Sequence, residues 1–207
     1  MLKKVLSILL ILSLVFAFAA CGTDNEPPTP RPIEPEANTD VTERDPSAEA
    51  EEKIIPILSV FTAPDLEGNT IDQTYLADKK LTMVNIWATT CGFCIDEMPE
   101  LAELNKEYAD QGFQVIGIVT DVFDRDGGFS GTQIEKAKEI VNVQGADYLQ
   151  LLPSEDLLAV ILAIPSNSVP LTFFVDAEGN LVGKIYAGAL GKDVWEEIIL
   201  EHLAEEE

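Results

Sequence analysis

Histidine occurs once in this 207-residue chain, cysteine three times, and lysine plus arginine only 13 times. Three cysteines cannot build the multi-disulfide framework that staples small secreted folds. Structural zinc needs four ligands, usually from two C-x-x-C pairs. Here there is one such pair, Cys91 and Cys94. Cys21 lies near the N-terminus and His202 near the other end, so no metal site is expected. Against so few basic residues stand 37 acidic ones, giving a formal charge of −24. Nucleic acid and anionic lipid head groups are poor partners for such a surface.

The N-terminus reads as an address rather than as part of a fold. Lys3 and Lys4 precede an uncharged, almost wholly apolar stretch from Val5 to Ala20. Charged, apolar and then small residues mark 1–20 as a secretory leader. The stretch is marginal for a spanning helix, which wants about 20 residues, although an uncleaved anchor fits it too. Phe18-Ala19-Ala20-Cys21 resembles a bacterial lipobox, with Phe where Leu is commoner. That resemblance implies loss of 1–20, acylation of Cys21, and contact with the membrane through the lipid. Both readings put the domain outside the cytoplasmic membrane. Residues 21–53 are then the anchor cysteine and a linker, interrupted by Pro27, Pro28, Pro30, Pro32, Pro35 and Pro46. Such a composition buries no core and stays extended. Residues 24–53 hold ten acidic and three basic side chains, which leaves −19 on residues 54–207.

Residues 54–207 alternate strand and helix patterns. Apolar runs at 81–88 and 113–119 read as buried strands, with shorter strands at 148–152 and 171–175 and a partner at 181–186. Glu67-Gly68-Asn69 reads as a turn tip between two short strands. Helices are expected over 94–110, 133–143, 156–164 and 192–202, with Pro99 kinking the first and Ser154 capping the third. Strand–helix–strand followed by hairpin–helix implies an α/β fold, a central mixed sheet flanked by helices.

The chemistry concentrates at Trp87-Ala-Thr-Thr-Cys91-Gly-Phe-Cys94. A strand running into C-x-x-C and then a helix is the pattern of a redox dithiol. The helix start favours a thiolate on Cys91, the form that attacks disulfides. Glu97, one turn beyond Cys94, shares its helix face. A partly buried carboxyl there could accept a proton near neutral pH; a solvated helix residue is the plainer reading. Asp124-Arg-Asp126-Gly-Gly128 suggests a calcium loop but lacks the EF-hand ligand spacing. His202 reads as a surface residue.

With Ser168-Val-Pro170-Leu-Thr172-Phe-Phe-Val-Asp176 added, the chain resembles thioredoxin-fold proteins. The Pro64-Asp-Leu-Glu-Gly68 hairpin and Cys94-Ile-Asp-Glu97-Met-Pro99 make it similar to membrane-anchored thiol–disulfide oxidoreductases of the TlpA and ResA type. The resemblance covers about residues 57–203. It implies a thioredoxin-like domain with an N-terminal β-hairpin extension. It also implies Cys91 as nucleophile, Cys94 as resolving thiol, Glu97 as proton acceptor, and a cis Pro170 opposite the dithiol. Trp87, Val169 and Thr172 are implied as substrate-binding residues. Asn85 stands where thioredoxin has a buried Asp. No cofactor is implied; the partners are disulfide-containing clients, secreted or in cytochrome maturation, and a membrane thiol donor.

Phe93 and Thr90 depart from the family's frequent Pro and Trp, which leaves the redox poise open between about −270 mV for thioredoxins and about −120 mV for strong oxidants. Reduction of clients is the expectation, with disulfide formation as the alternative. A peroxiredoxin-like peroxidase would need Pro at 84 and Thr at 88, where Val84 and Ala88 stand. A copper-binding chaperone would need a wider cysteine spacing and a histidine placed to join it.

Overall fold

The computed structural model describes residues 54–205 apart from Asn167. The leader 1–20, Cys21 and the linker 21–53 lie outside the described residues. Two short strands come first, β1 (Thr62–Pro64) and β2 (Thr70–Asp72), paired antiparallel as a hairpin of their own. The long apolar runs become β3 (Leu81–Trp87) and β4 (Phe113–Val119), buried at every position. Full burial without alternation is what central strands covered on both faces require. They pair in parallel, and β5 (Leu149–Leu151) continues the parallel set beyond β4. β6 (Leu171–Val175) runs antiparallel to β3, and β7 (Leu181–Ala187) antiparallel to β6. The order is β5-β4-β3-β6-β7, a thioredoxin-like mixed sheet.

Helices α1 (Gly92–Glu107), α2 (Gly131–Gln144) and α4 (Lys192–Glu205) share one face, contributing Met98, Ala137 and Trp195 to its core. On the other face α3 (Glu155–Ala163) buries Leu157 beside Leu58, Phe61 and Leu76 of the N-terminal segment. Ser154 caps α3 by accepting from Leu157 N–H. α1 starts at Gly92, earlier than its apolar periodicity suggests, because Cys91 itself is the cap; it runs as one helix through Pro99. His202 departs from expectation. It is buried, with its ring 5.4 Å from that of Phe174, and it occupies space left by the missing side chain of Gly183.

Three five-residue turns are built alike. In Asp65–Asn69, Asp124–Gly128 and Asp176–Asn180 the first carboxylate accepts backbone N–H groups two and four residues on. In each, the aspartate N–H also donates to the carbonyl of the fifth residue, and the fourth residue is a glycine at φ of 81 to 87°. The acidic 124–128 segment thus spends Asp124 on its own backbone. Among the described residues no group of three Asp, Glu, His or Cys is placed to hold a metal ion. A Cβ on Gly179 would also lie 2.4 Å from the Leu58 carbonyl, whereas one on Gly68 would meet nothing. Gly68→Ala should therefore cost only the ~1 kcal/mol of the left-handed backbone. Gly179→Ala should cost more, about 2–4 kcal/mol. Urea midpoints of the two variants check the difference.

Candidate active site

Cys91 and Cys94 form a disulfide, with Cα atoms 5.3 Å apart. Cys91 is the N-cap of α1, and its Sγ accepts the Cys94 N–H at 3.2 Å. Partial positive charge at the helix start therefore falls on the outer sulfur. Cys94 is wholly buried, while Cys91 is partly exposed. The two residues between them project outward: Phe93 is 75 % exposed, and a side chain on Gly92 would meet nothing.

The turn that delivers Cys91 is held from the neighbouring strand. Thr120 N–H and hydroxyl both donate to the Trp87 carbonyl. The Asp121 carboxylate accepts Thr89 N–H at 2.7 Å, Thr89 Oγ1 at 2.8 Å and Thr90 Oγ1 at 3.2 Å. Cys91 N–H closes the turn on the Ala88 carbonyl.

Glu97 is not a solvated helix residue. It is 4 % exposed and accepts Asn85 Nδ2 at 2.9 Å through Oε1. The same Asn85 Nδ2 reaches Thr172 Oγ1 at 3.1 Å, so β3, β6 and α1 meet at one amide. Burial pushes the Glu97 carboxyl up from 4.5 to about 7, against the pull of the Asn85 hydrogen bond. Trp195 and Leu190 lie close on the α4 side and pull weakly the same way as Asn85, while Glu100 adds a small repulsion. Further along the sheet, Trp87 Nε1 donates to Gln150 Oε1 at 2.9 Å. Gln150 fits only because β4 offers Gly117 opposite it, where a Cβ would fall 2.0 Å from Oε1. Buried Tyr148 lies near enough to feel the Glu97 charge.

Val169 and Pro170 come to the dithiol. Cys91 Sγ lies 3.6 Å from the Val169 carbonyl oxygen, and the Val169–Pro170 peptide is cis. An apolar depression opens beside Val169, lined by Thr120, Leu162, Ile164 and Leu171 among others. Trp87 and Thr172, expected at the substrate surface, are fully buried and have no surface a client could touch. The reason lies in the strands themselves: both residues sit within runs buried on both faces. They belong to the polar scaffold beneath the site. Sequence reasoning also missed Asp121 and Gln150. A glutamine inside a short apolar strand, and an aspartate just past the end of β4, were the available signals.

A C-x-x-C disulfide capping a helix on this mixed sheet defines a thioredoxin-fold protein with a dithiol at its helix start. More narrowly, the chain belongs to the AhpC/TSA family, whose pattern matches residues 57–184. It is similar to the thiol:disulfide interchange protein DsbE of Yersinia pestis, 33% identical over 134 residues, covering 64% of this chain and 62% of that protein. It is also similar to the thiol-disulfide oxidoreductase ResA of Halalkalibacterium halodurans, 25% identical over 147 residues, with 67% and 71% covered. The chain thus spans about three fifths to seven tenths of the length of these relatives. A crystal structure of a thioredoxin-family thiol:disulfide interchange protein from Chlorobium tepidum TLS shares the fold, with a TM-score of 0.62 and 24% identity over 74% of this chain and 99% of that one.

The raised carboxyl makes stability depend on pH. Glu97 ionises in the unfolded chain near 4.5 but in the folded chain near 7. Between those values the folded state binds the extra proton, so stability falls as pH rises and the loss is complete above about 7. The full contribution is roughly 3 kcal/mol. Oxidised Glu97→Gln should lack this component. Its stability relative to the parent should rise by roughly that amount between about pH 4 and about pH 8, measured by urea unfolding.

Proposed function

We propose that this protein is a lipid-anchored thiol–disulfide oxidoreductase of the extracytoplasmic face, reducing disulfides in secreted or cytochrome-maturation clients. The observation that carries the reading is the Cys91–Cys94 disulfide at the α1 start, with the Val169 carbonyl 3.6 Å from the outer sulfur. In the reduced protein the Cys91 thiolate attacks one sulfur of a client disulfide. That S–S bond breaks, and the other client sulfur leaves as a thiolate that takes a proton from solvent. Cys94 then gives its proton to ionised Glu97 and attacks Cys91. The mixed disulfide breaks, the client leaves with both sulfurs reduced, and the protein keeps the disulfide. Two electrons have passed to the client; a membrane thiol donor returns them. Extended client backbone lies along Val169, with a side chain in the adjoining apolar depression. The thiol–disulfide exchange in the names of the relatives supports the dithiol reaction. The leader and Phe18-Ala-Ala-Cys21 support the lipid anchor.

Alkylation at mildly acidic pH should label Cys91 before Cys94, read by peptide mapping; the reverse order overturns the assignment. Cys94→Ser should accumulate a mixed disulfide on Cys91. Glu97→Gln should slow release of that intermediate by up to about 10²-fold and flatten its pH dependence, while exposed Asp96→Asn should leave it unchanged. Radiolabelled palmitate should enter the full chain in a bacterial host and not the Cys21→Ser variant. The equilibrium with glutathione separates reduction from the alternative, disulfide formation.

A further inference from the structure

The turn that carries the nucleophile is tied to a carboxylate that thiol exchange does not consume. Asp121 takes three hydrogen bonds from Thr89 and Thr90, the two residues before Cys91. Its own backbone is fixed as well, since Gln133 Nε2 of α2 donates to the Asp121 carbonyl at 3.0 Å. All these donors to the side chain are neutral, and among the described residues no lysine or arginine forms a salt bridge with it. The carboxylate is thereby anchored to the two residues that precede Cys91.

Three elements surround Cys91. Its own helix offers the positive N-terminal end and, further in, Glu97. The loop leading into β6 brings the Val169 carbonyl, and residues 164–170 contain no ionisable side chain. The loop after β4 holds the Asp121 carboxylate on Thr89 and Thr90, the residues leading into Cys91. The helix start favours a thiolate at Cys91, whereas the anchored carboxylate opposes it. A disulfide carries no charge, so whatever raises the energy of the thiolate also shifts the couple toward the disulfide.

We infer that Asp121 is a positioning residue that fixes the β3–α1 turn and, through its charge, restrains the Cys91 thiolate, making the dithiol more reducing than its helix start alone would. The inference rests on Cys91 being the attacking thiol. Asp121→Asn keeps the shape and removes the charge. It should speed alkylation of Cys91 at mildly acidic pH by roughly three- to ten-fold, the range for one nearby unit charge at a partly exposed site. At mildly alkaline pH its equilibrium with glutathione should move by a similar factor toward the dithiol. Thr90→Val, at an exposed position, takes one donor from the carboxylate and leaves its charge less damped. It should slow alkylation by about two-fold.

Opposite signs are the signature of charge, because a loosened turn would move both variants the same way. Equal-signed changes, or an unaltered rate and equilibrium in Asp121→Asn, overturn the inference. Should Asp121→Asn fail to fold, Thr90→Val decides alone: an unchanged or faster rate overturns it. Peptide mapping keeps the two readings apart. Label falling first on Cys94 would undo the attacking-thiol assignment, whereas label on Cys91 at unaltered rates would remove only the role of Asp121.

Discussion

A buried hydrogen bond, from Asn85 Nδ2 to Glu97 Oε1, is the polar link at the centre of the chemical end of this molecule. It joins the central strand to the helix that carries both cysteines, and Thr172 brings in β6 through the same amide. A charged carboxylate left in this core without a partner would be costly. Asn85 supplies one neutral donor, enough to hold the carboxyl in place and too little to force it to stay ionised. That balance leaves Glu97 near neutrality. A cation in place of Asn85 would tighten the pair and fix the charge, and the carboxyl could no longer exchange a proton under ordinary conditions.

Much of this was legible in the sequence. Strands of predominantly apolar character at 113–119 and 171–175 appear with the expected bounds, because a strand buried on both faces draws mainly on apolar residues. The dithiol was legible because its spacing and its place between strand and helix are local. Glu97 was legible as a candidate because helical periodicity puts it one turn from Cys94. Its burial was not, since that depends on α4 folding back to bring Trp195 and Leu190 over it. Trp87 and Thr172 were misread for a related reason. Motif membership says that a residue matters, whereas the face it occupies follows from strand pairing. Asp121 and Gln150 escaped notice because their partners, Thr89 and Trp87, lie 32 and 63 residues away.

The acidic surface also looks different once the turns are known. Asp65, Asp124 and Asp176 are structural carboxylates, each holding a tight turn by accepting two backbone N–H groups. Asp121 does comparable work on the turn before Cys91. Local side-chain to backbone bonding of this kind needs a short acceptor, which explains why aspartate, rather than the longer glutamate, recurs at these places.

Between the cysteines, Gly92 faces open space and Phe93 stands in solvent. Neither residue is demanded by packing, and Gly92 lies outside the left-handed region that would require glycine. The two positions that most directly surround the reactive sulfur are therefore the ones the fold leaves unconstrained. Drift or design can rewrite this dipeptide without touching the core, so electron affinity and folding are separately adjustable traits in this chain.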